Sequence, residues 1–210
     1  SYIGYSFNST ATETITNIDL LDTSNVTNMS RMFNYTGDRA MTSLDLRNNF
    51  DTSQVTDMSY MFYDTGYRAM TSLDLGANFD TSQVTDMSYM FSYTGRDAMT
   101  SLNLGDDFDT SSVTDMSHMF YYTGYTAMTK LNLGPSFTYI SEENIGAPHQ
   151  GYIPSYRDMF SNTGKSGEIV ITVPQEIYQD EHHVKLNESS TTTIEFTRGT
   201  IEVITQVQNN

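Results

Sequence analysis

The sequence contains no cysteine, few cations and no long apolar run. Without cysteine, disulfides and thiolate metal sites cannot form, so a zinc site would have to use the four histidines with carboxylates. Ten Lys and Arg against 26 Asp and Glu leave a formal charge of −16, which repels the phosphates of nucleic acids and anionic lipids. The longest apolar run, at 168–173, is far shorter than the roughly 20 residues of a spanning helix. We therefore expect neither nucleic-acid binding nor direct membrane insertion.

One sequence pattern recurs with a constant period of 29 residues. Four aspartates open four copies of it, and apolar residues recur at fixed positions after each of them. The columns are Asp22, Asp51, Asp80 and Asp109; Val26, Val55, Val84 and Val113; Met29, Met58, Met87 and Met116; Met32, Met61, Met90 and Met119; and Phe33, Phe62, Phe91 and Phe120. Each unit therefore has an apolar side that it cannot bury alone, so neighbouring units must stack on it.

Two local patterns alternate within a unit. Residues 70–75 have the M-x-x-L-x-L spacing, in which alternate side chains of a strand point to one side. Val55, Met58 and Met61 recur every three residues, which is typical of one face of a short helix or 3₁₀ helix. Thr52 or Ser53 could cap its start, and a glycine such as the one at position 66 could end it. We predict an α/β repeat solenoid of leucine-rich-repeat-like coils, with a parallel sheet on one side and short helices on the other.

The ends of the chain depart from this pattern. Residues 1–21 are predicted to be an N-terminal cap with a shortened first coil, in which 18–20 match the strand. The solenoid is expected over 22–178, with an insertion of 11 residues near 138–155. Residues 179–210 are predicted to form a C-terminal β-hairpin cap. Because the chain begins without Met or an apolar leader, we expect a longer precursor.

The repeats resemble those of the BspA-like leucine-rich-repeat surface proteins of Gram-positive bacteria and mycoplasmas. Residues 44–46 and 50–62, with their copies, carry this resemblance, which covers roughly 17–173. A Thr-Gly-x-x-Ala-Met connector replaces a shorter, often Cys-containing link. The resemblance implies an exported protein attached to the wall or membrane and engaged in adhesion or partner capture. It implies no shared catalytic or ligand residues.

The polar face of the predicted sheet is the first candidate for ligand binding. Neighbouring strands lie about 4.8 Å apart, so equivalent side chains should form a row that could hold a polar ligand or a divalent ion. The alternative is a solvated face that prevents unwanted packing. The row consists of Asp45, Asp74, Asn103 and Asn132.

Tyrosines form the second candidate surface. Fifteen tyrosines are present, and many occupy variable positions of the unit. A tyrosine offers a large apolar ring with a polar tip, which suits contact with a glycan or a protein. Alternatively, these rings fill space between units. The candidates are Tyr60 with Tyr89 and Tyr93 with Tyr122.

Other motifs give no catalytic or metal site. The Asp-Thr-Ser-x-Val-Thr-Asp segment lacks the order of a calcium loop and is better explained as helix capping. Residues 180–183 contain adjacent histidines that would face opposite sides of a strand. No nucleophile elbow or phosphate-binding loop occurs. We therefore predict no enzymatic activity, no cofactor and no metal.

The leading hypothesis is a monomeric adhesion module at the bacterial cell surface or wall. Its partner would be a host extracellular protein or glycan, or another surface protein. The alternative is a structural spacer or assembly element without a ligand, which the near-identity of the units favours. Ice binding by the Thr27, Thr56, Thr85 and Thr114 column is less favoured, because these residues sit beside aspartates in the predicted capping segment.

Overall fold

A computed structural model describes residues 1–3, 7, 9–137, 159–160, 162–164, 169–173, 191–197 and 200–206. Within these residues, a 3₁₀ helix at Ile18–Leu20 precedes seven strands. The strands are β1 (Ser43–Asp45), β2 (Ser72–Asp74), β3 (Ser101–Asn103), β4 (Lys130–Asn132), β5 (Ile169–Val173), β6 (Thr191–Thr197) and β7 (Thr200–Gln206).

The first four strands occupy the same three positions of the 29-residue unit. β1 pairs with β2, and β3 pairs with β4, in parallel and in register. In each strand the central leucine is buried and its two neighbours are exposed. The M-x-x-L-x-L spacing thus correctly predicts short parallel strands with one buried side, although they belong to two separate hydrogen-bonded sheets.

The later strands extend the second sheet. β5 pairs in parallel with β4, and β7 joins β5 and β6 in antiparallel pairs, which gives the order β3-β4-β5-β7-β6. The β6–β7 pair lies where the sequence predicts a hairpin. Its role as a cap stays a prediction, as do the domain boundaries. The insertion at 138–155 and the histidine cluster at 180–183 lie outside the described residues.

Turns, and not the short helices that the sequence predicts, form the other half of each described unit. From 58 to 65, alternate backbone N–H groups bond within the unit and to the next unit. The N–H of Met61 donates to the carbonyl of Met58 at 3.1 Å, whereas that of Phe62 donates to Met90 at 2.9 Å. A helix would use all these donors internally. The prediction of helices was wrong because overlapping four-residue turns, closed by bonds between residues three apart, also bury Met58 and Met61 on one side.

The predicted helix caps are also replaced by turns. Asp51 Oδ1 accepts the backbone N–H of Ser53 at 2.9 Å, a side-chain turn that recurs at Asp80 and Asp109. The hydroxyl of Thr52 donates instead to the carbonyl of Asp80 in the next unit at 2.7 Å. These side chains therefore join units and shape turns.

The core is a set of continuous side-chain columns. Phenylalanine rings stack from Phe7 through Phe33, Phe62, Phe91 and Phe120 to Phe160, with centroids 5.1 to 5.5 Å apart. The last step spans 40 residues, which is the 29-residue period plus the 11-residue insertion. Thr163 confirms the resumed register, because its hydroxyl donates to the carbonyl of Phe120 at 2.6 Å.

The first unit differs from the predicted short coil. Residues 18–20 form a 3₁₀ helix where the sequence match predicts a strand, and Leu20 is 78% exposed. Its sequence counterpart Leu46 is completely buried. Only Leu21 separates Leu20 from Asp22, so the chain must turn immediately and has no room for the four-residue link of the later units.

Candidate binding surfaces

The predicted row of polar residues on the sheet side is present. Asp45 lies opposite Asp74 and Asn103 lies opposite Asn132, and all four side chains belong to exposed residues. Their exposure makes this surface accessible to a partner.

These side chains have structural partners of their own. Asp45 Oδ1 accepts the N–H of Arg47 at 2.8 Å, and Asp74 Oδ1 accepts that of Gly76 at 2.9 Å. Asn132 donates its amide to Asn103 at 3.0 Å. Within the part of the chain that the structure describes, no group of three or more His, Asp or Glu is placed to hold a metal ion. The row therefore shapes the turns that follow the strands.

The four predicted tyrosines lie on the turn side, stacked in pairs. The rings of Tyr60 and Tyr89 are 4.7 Å apart and nearly parallel, and Tyr89 stacks in turn on His118 at 4.5 Å. Tyr93 and Tyr122 stack at 5.1 Å. The 29-residue spacing thus brings together the rings that the sequence pairs.

Other tyrosines connect these stacks into one surface, which the sequence alone does not reveal. Tyr63 touches both Tyr60 at 5.5 Å and Tyr93 at 5.8 Å, and Tyr121 meets Tyr93 edge-on at 5.5 Å. We call this connected surface the tyrosine strip. It comprises Tyr35, Tyr60, Tyr63, Tyr67, Tyr89, Tyr93, Tyr121, Tyr122 and Tyr125.

Two arginines are built into the strip. The guanidinium of Arg31 lies 4.9 Å from the centre of the Tyr60 ring. That of Arg96 lies between Tyr67 and Tyr125, at 5.2 and 4.8 Å from their ring centres. Cations over aromatic faces are attracted by the ring quadrupole. The sequence contains one indication of these contacts: each arginine occupies a position of the repeat where a neighbouring unit has tyrosine.

Burial raises the pKa of several groups in and beside the strip. Desolvation raises the pKa of Tyr93 to about 12, and it also raises the pKa of Tyr60. These phenols are therefore neutral at physiological pH and can both donate and accept hydrogen bonds. Burial, followed by the nearby Asp38 charge, raises the pKa of the Asp64 carboxyl to about 6.

The backbone fixes where these rings lie. Tyr60, Tyr89, Tyr93 and Tyr122 all have φ between 57° and 60°, in the left-handed region. This conformation costs a bulky residue about 1–2 kcal/mol. Contacts between units therefore hold the strip in a local geometry that isolated tyrosines would avoid.

The repeats place the chain in a known family. The family described as Mycoplasma protein of unknown function, DUF285, matches residues 3–127, more than half of the chain. The chain belongs to this family. No curated protein and no solved structure matches it. The DUF285 match covers the strands β1 to β3 and the whole tyrosine strip. None of the described helices of this DUF285 member is long and apolar enough to cross a membrane.

Proposed function

We propose that the chain is a repeat solenoid that serves as a binding and adhesion module on a bacterial cell surface. The sequence resemblance to BspA-like surface proteins supports an exported, surface-attached protein of this kind, and the DUF285 match places the repeats in a mycoplasma family of unknown function. Hydrogen bonds that recur between positions 28 or 29 residues apart support the stacked arrangement of coils. The partner is an extracellular host protein or glycan, or another surface protein.

The tyrosine strip is the observation that carries this proposal. Apart from the exposed Tyr35, its residues are half-buried, and its rings cross the turn side of consecutive units from Tyr35 to Tyr125. Rigid amphipathic rings supply contact area at little entropic cost when a partner binds. The sheet side remains the second candidate, because its residues are exposed although their carboxylates and amides serve the following turns.

An array of purified glycans and extracellular-matrix proteins, probed with calcium and with EDTA, tests the proposal. A saturable hit supports a binding module. If that binding depends on calcium, the aspartates of the polar row on the sheet side would have a role in it. The double variant Asp45→Asn and Asp74→Asn tests the sheet side and is suited to preserve folding, because asparagine occupies the same column at 103 and 132.

A spacer without a ligand is the alternative, and one observation favours it. The faces of Tyr60, Tyr89 and His118 cover one another, so these rings stabilise contacts between units whether or not a partner exists. A folded protein, with cooperative thermal unfolding, that binds nothing on the array with calcium or with EDTA would support the spacer and contradict the binding module.

A further inference from the structure

Backbone bonds on the sheet side are interrupted between the units that contain β2 and β3. The N–H of Leu46 donates to the carbonyl of Asp74 at 2.9 Å, and that of Leu104 donates to Asn132 at 3.0 Å. In the described part of the chain, the N–H of Leu75, at the same position of the intervening unit, donates to no carbonyl of the following unit. We call the junction of these two units the β2–β3 boundary.

The residues that precede the strands show the same interruption. The N–H of Thr71 donates to the carbonyl of Thr42 at 2.8 Å, and that of Thr129 donates to Thr100 at 2.9 Å. Among the described residues, the N–H of Thr100 makes no equivalent bond to Thr71. The bonds between units are therefore missing before and after the strands at the β2–β3 boundary.

The loops that follow the strands are also further apart at this boundary. A Cβ on Gly76 would collide with the carbonyl of Arg47 in the preceding unit, and one on Gly134 would collide with that of Gly105. A Cβ on Gly105 itself would meet nothing within 4 Å. The loop at Gly76 is thus not packed against Gly105 in the way that the equivalent loops are packed elsewhere.

The side chains of these loops account for the difference. Asn48 Oδ1 accepts the backbone N–H of Ala77 at 3.3 Å, which bridges the loops after β1 and β2. The hydroxyl of Ser136 donates to the carbonyl of Asp106 at 2.8 Å, which bridges the loops after β3 and β4. At the β2–β3 boundary the corresponding positions hold Ala77, which has no polar side chain, and Asp107, whose carboxylate cannot donate.

The same two units stay joined on the turn side and at the corner before it. The N–H of Phe62 donates to the carbonyl of Met90 at 2.9 Å. The hydroxyl of Thr52 donates to the carbonyl of Asp80 at 2.7 Å. Separation of β2 from β3 would leave these bonds intact.

The core is also covered least well at this boundary. Leu73, the central residue of β2, is 8% exposed, whereas the central leucines of β1, β3 and β4 are 1 to 2% exposed. Protein segments open locally where few backbone hydrogen bonds and buried contacts oppose the opening. The β2–β3 boundary combines both conditions with intact bonds on the opposite side of the units.

We propose that the sheet side opens locally between β2 and β3, and that the turn side holds the two units together while Leu73 and Leu102 become accessible. Ala77 and Asp107 permit this opening because neither supplies the side-chain bridge of the neighbouring boundaries. The tyrosine strip stays assembled during the opening, since Tyr60 and Tyr89 stack across the same two units on the turn side. The opening does not depend on the proposed function.

The absence of cysteine from the chain makes thiol labelling a direct test. Leu102 and Leu131 form a matched pair, because they are 2% and 1% exposed and occupy the same position of β3 and β4. β4 is paired on both sides, whereas β3 is paired on one side only. The rates at which Leu102→Cys and Leu131→Cys react with a thiol reagent are measured in native buffer and at low urea concentrations, after urea denaturation has established the stability of each variant.

We expect Leu102→Cys to react about tenfold faster than Leu131→Cys or more, because local opening requires less free energy than global unfolding. Labelling of Leu102→Cys should be nearly independent of urea, since local opening exposes little surface. Labelling of Leu131→Cys should accelerate with urea, because it requires global unfolding.

The neighbouring boundaries supply a variant that should close this one. Ala77→Asn with Asp107→Ser introduces the side chains that Asn48 and Ser136 use as bridges. In the Leu102→Cys protein these two changes should slow labelling about fivefold or more, whereas in the Leu131→Cys protein they should change it less than about twofold.

Amide hydrogen exchange of the unsubstituted protein provides a second measurement, which applies even if a cysteine variant fails to fold. The amides of Leu75 and Thr100 should exchange faster than those of Leu46 and Thr129, with rates that low urea concentrations do not change.

Equal labelling rates for Leu102→Cys and Leu131→Cys, with the same dependence on urea, would overturn the local opening. Equal exchange rates for the two pairs of amides would overturn it as well. Fast labelling of Leu102→Cys that Ala77→Asn with Asp107→Ser does not slow would overturn the role assigned to these two positions. None of these results depends on whether the chain binds a partner, so they are separate from the test of the proposed function.

Discussion

The turn side and the sheet side of this chain are built from the same repeat but differ in how they hold the units together. On the sheet side each of β1 to β4 is three residues long, and no strand pairing joins β2 to β3. On the turn side inter-unit bonds are unbroken: Phe33, Phe62, Phe91 and Phe120 each donate a backbone N–H to the following unit at 2.9 Å. The turn side therefore contributes the greater part of the inter-unit bonding.

On the turn side, the inner positions of the repeat are the same in each unit, whereas the outer positions vary. Inside the turn side, Phe, Met and Thr columns are invariant between units, whereas the outer column holds Arg31, Tyr60, Tyr89 and His118. The residue type at the outer column can vary because these side chains stack on one another without changing the backbone of the buried interior. This arrangement resembles a scaffold that presents a variable surface, as the binding proposal requires.

Two glycines, one packed on the turn side and one in open space after β3, should give the largest difference between single sites. Gly95 lies on the turn side with φ +50°, and a Cβ there would come within 2.5 Å of Met99 Cβ. Gly105 follows β3 with φ +86°, and a Cβ there meets nothing within 4 Å. We expect Gly95→Ala to lower the free energy of unfolding by about 3 kcal/mol and Gly105→Ala by about 1 kcal/mol. Urea denaturation measures both, and equal losses would contradict the comparison.

Two threonines of one unit should show a smaller difference. Thr123 is buried and donates to the carbonyl of Phe91 at 2.7 Å, whereas Thr129 is exposed and donates to Thr100 at 3.4 Å. Replacing a buried donor leaves its acceptor partly unsatisfied, so Thr123→Val should destabilise by about 1–1.5 kcal/mol and Thr129→Val by under about 0.5 kcal/mol. Thermal unfolding of the two variants measures these losses. A larger loss of stability in Thr129→Val than in Thr123→Val would contradict our account.

The smallest expected effect concerns pH. Burial raises the pKa of Asp64 to about 6, so the folded protein binds this proton more tightly than the unfolded chain does. Stability from this group is present below pH about 4 and falls as pH rises through about 6. Because the side chain is only half-buried, solvent screening limits the loss to about 1 kcal/mol.

The variant Asp64→Asn should remove this part of the pH dependence and raise the melting temperature at pH 7. Asparagine also tolerates the left-handed backbone of this position, where φ is 58°. Melting curves of wild type and variant from pH 4 to pH 7 provide the measurement. Parallel curves across that range would show that Asp64 does not titrate as described.

Much of the architecture follows from sequence spacing. The strands at 43–45, 72–74, 101–103 and 130–132 were predictable because Leu-x-Leu alternation has a period of two. The turn segments were not, because apolar residues at every third position fit both a helix and a succession of overlapping four-residue turns. Only the direction of the backbone bonds, as at Phe62 and Met90, distinguishes the two.

The candidate surface was predictable only in part. The 29-residue period indicates that Tyr60 stacks with Tyr89, but it does not show that Tyr63 links this stack to Tyr93. The arginine contacts depend on neighbouring columns being adjacent, as when Arg96 fits between Tyr67 and Tyr125. Tyrosines in a left-handed backbone conformation have no local sequence signal, since glycine and asparagine are the residues that favour it.

The proposed solenoid is tested most directly by deleting one complete unit, residues 80–108, which joins Phe79 to Asp109. Every column keeps its order, and Thr114 takes the place of Thr85 against the carbonyl of Thr56. We predict a folded protein that unfolds cooperatively on heating, whereas deletion of half a unit, 80–93, should abolish folding because turn and strand positions no longer align. Loss of cooperative unfolding in the complete-unit deletion, or equal tolerance of both deletions, would contradict the stacked-repeat account.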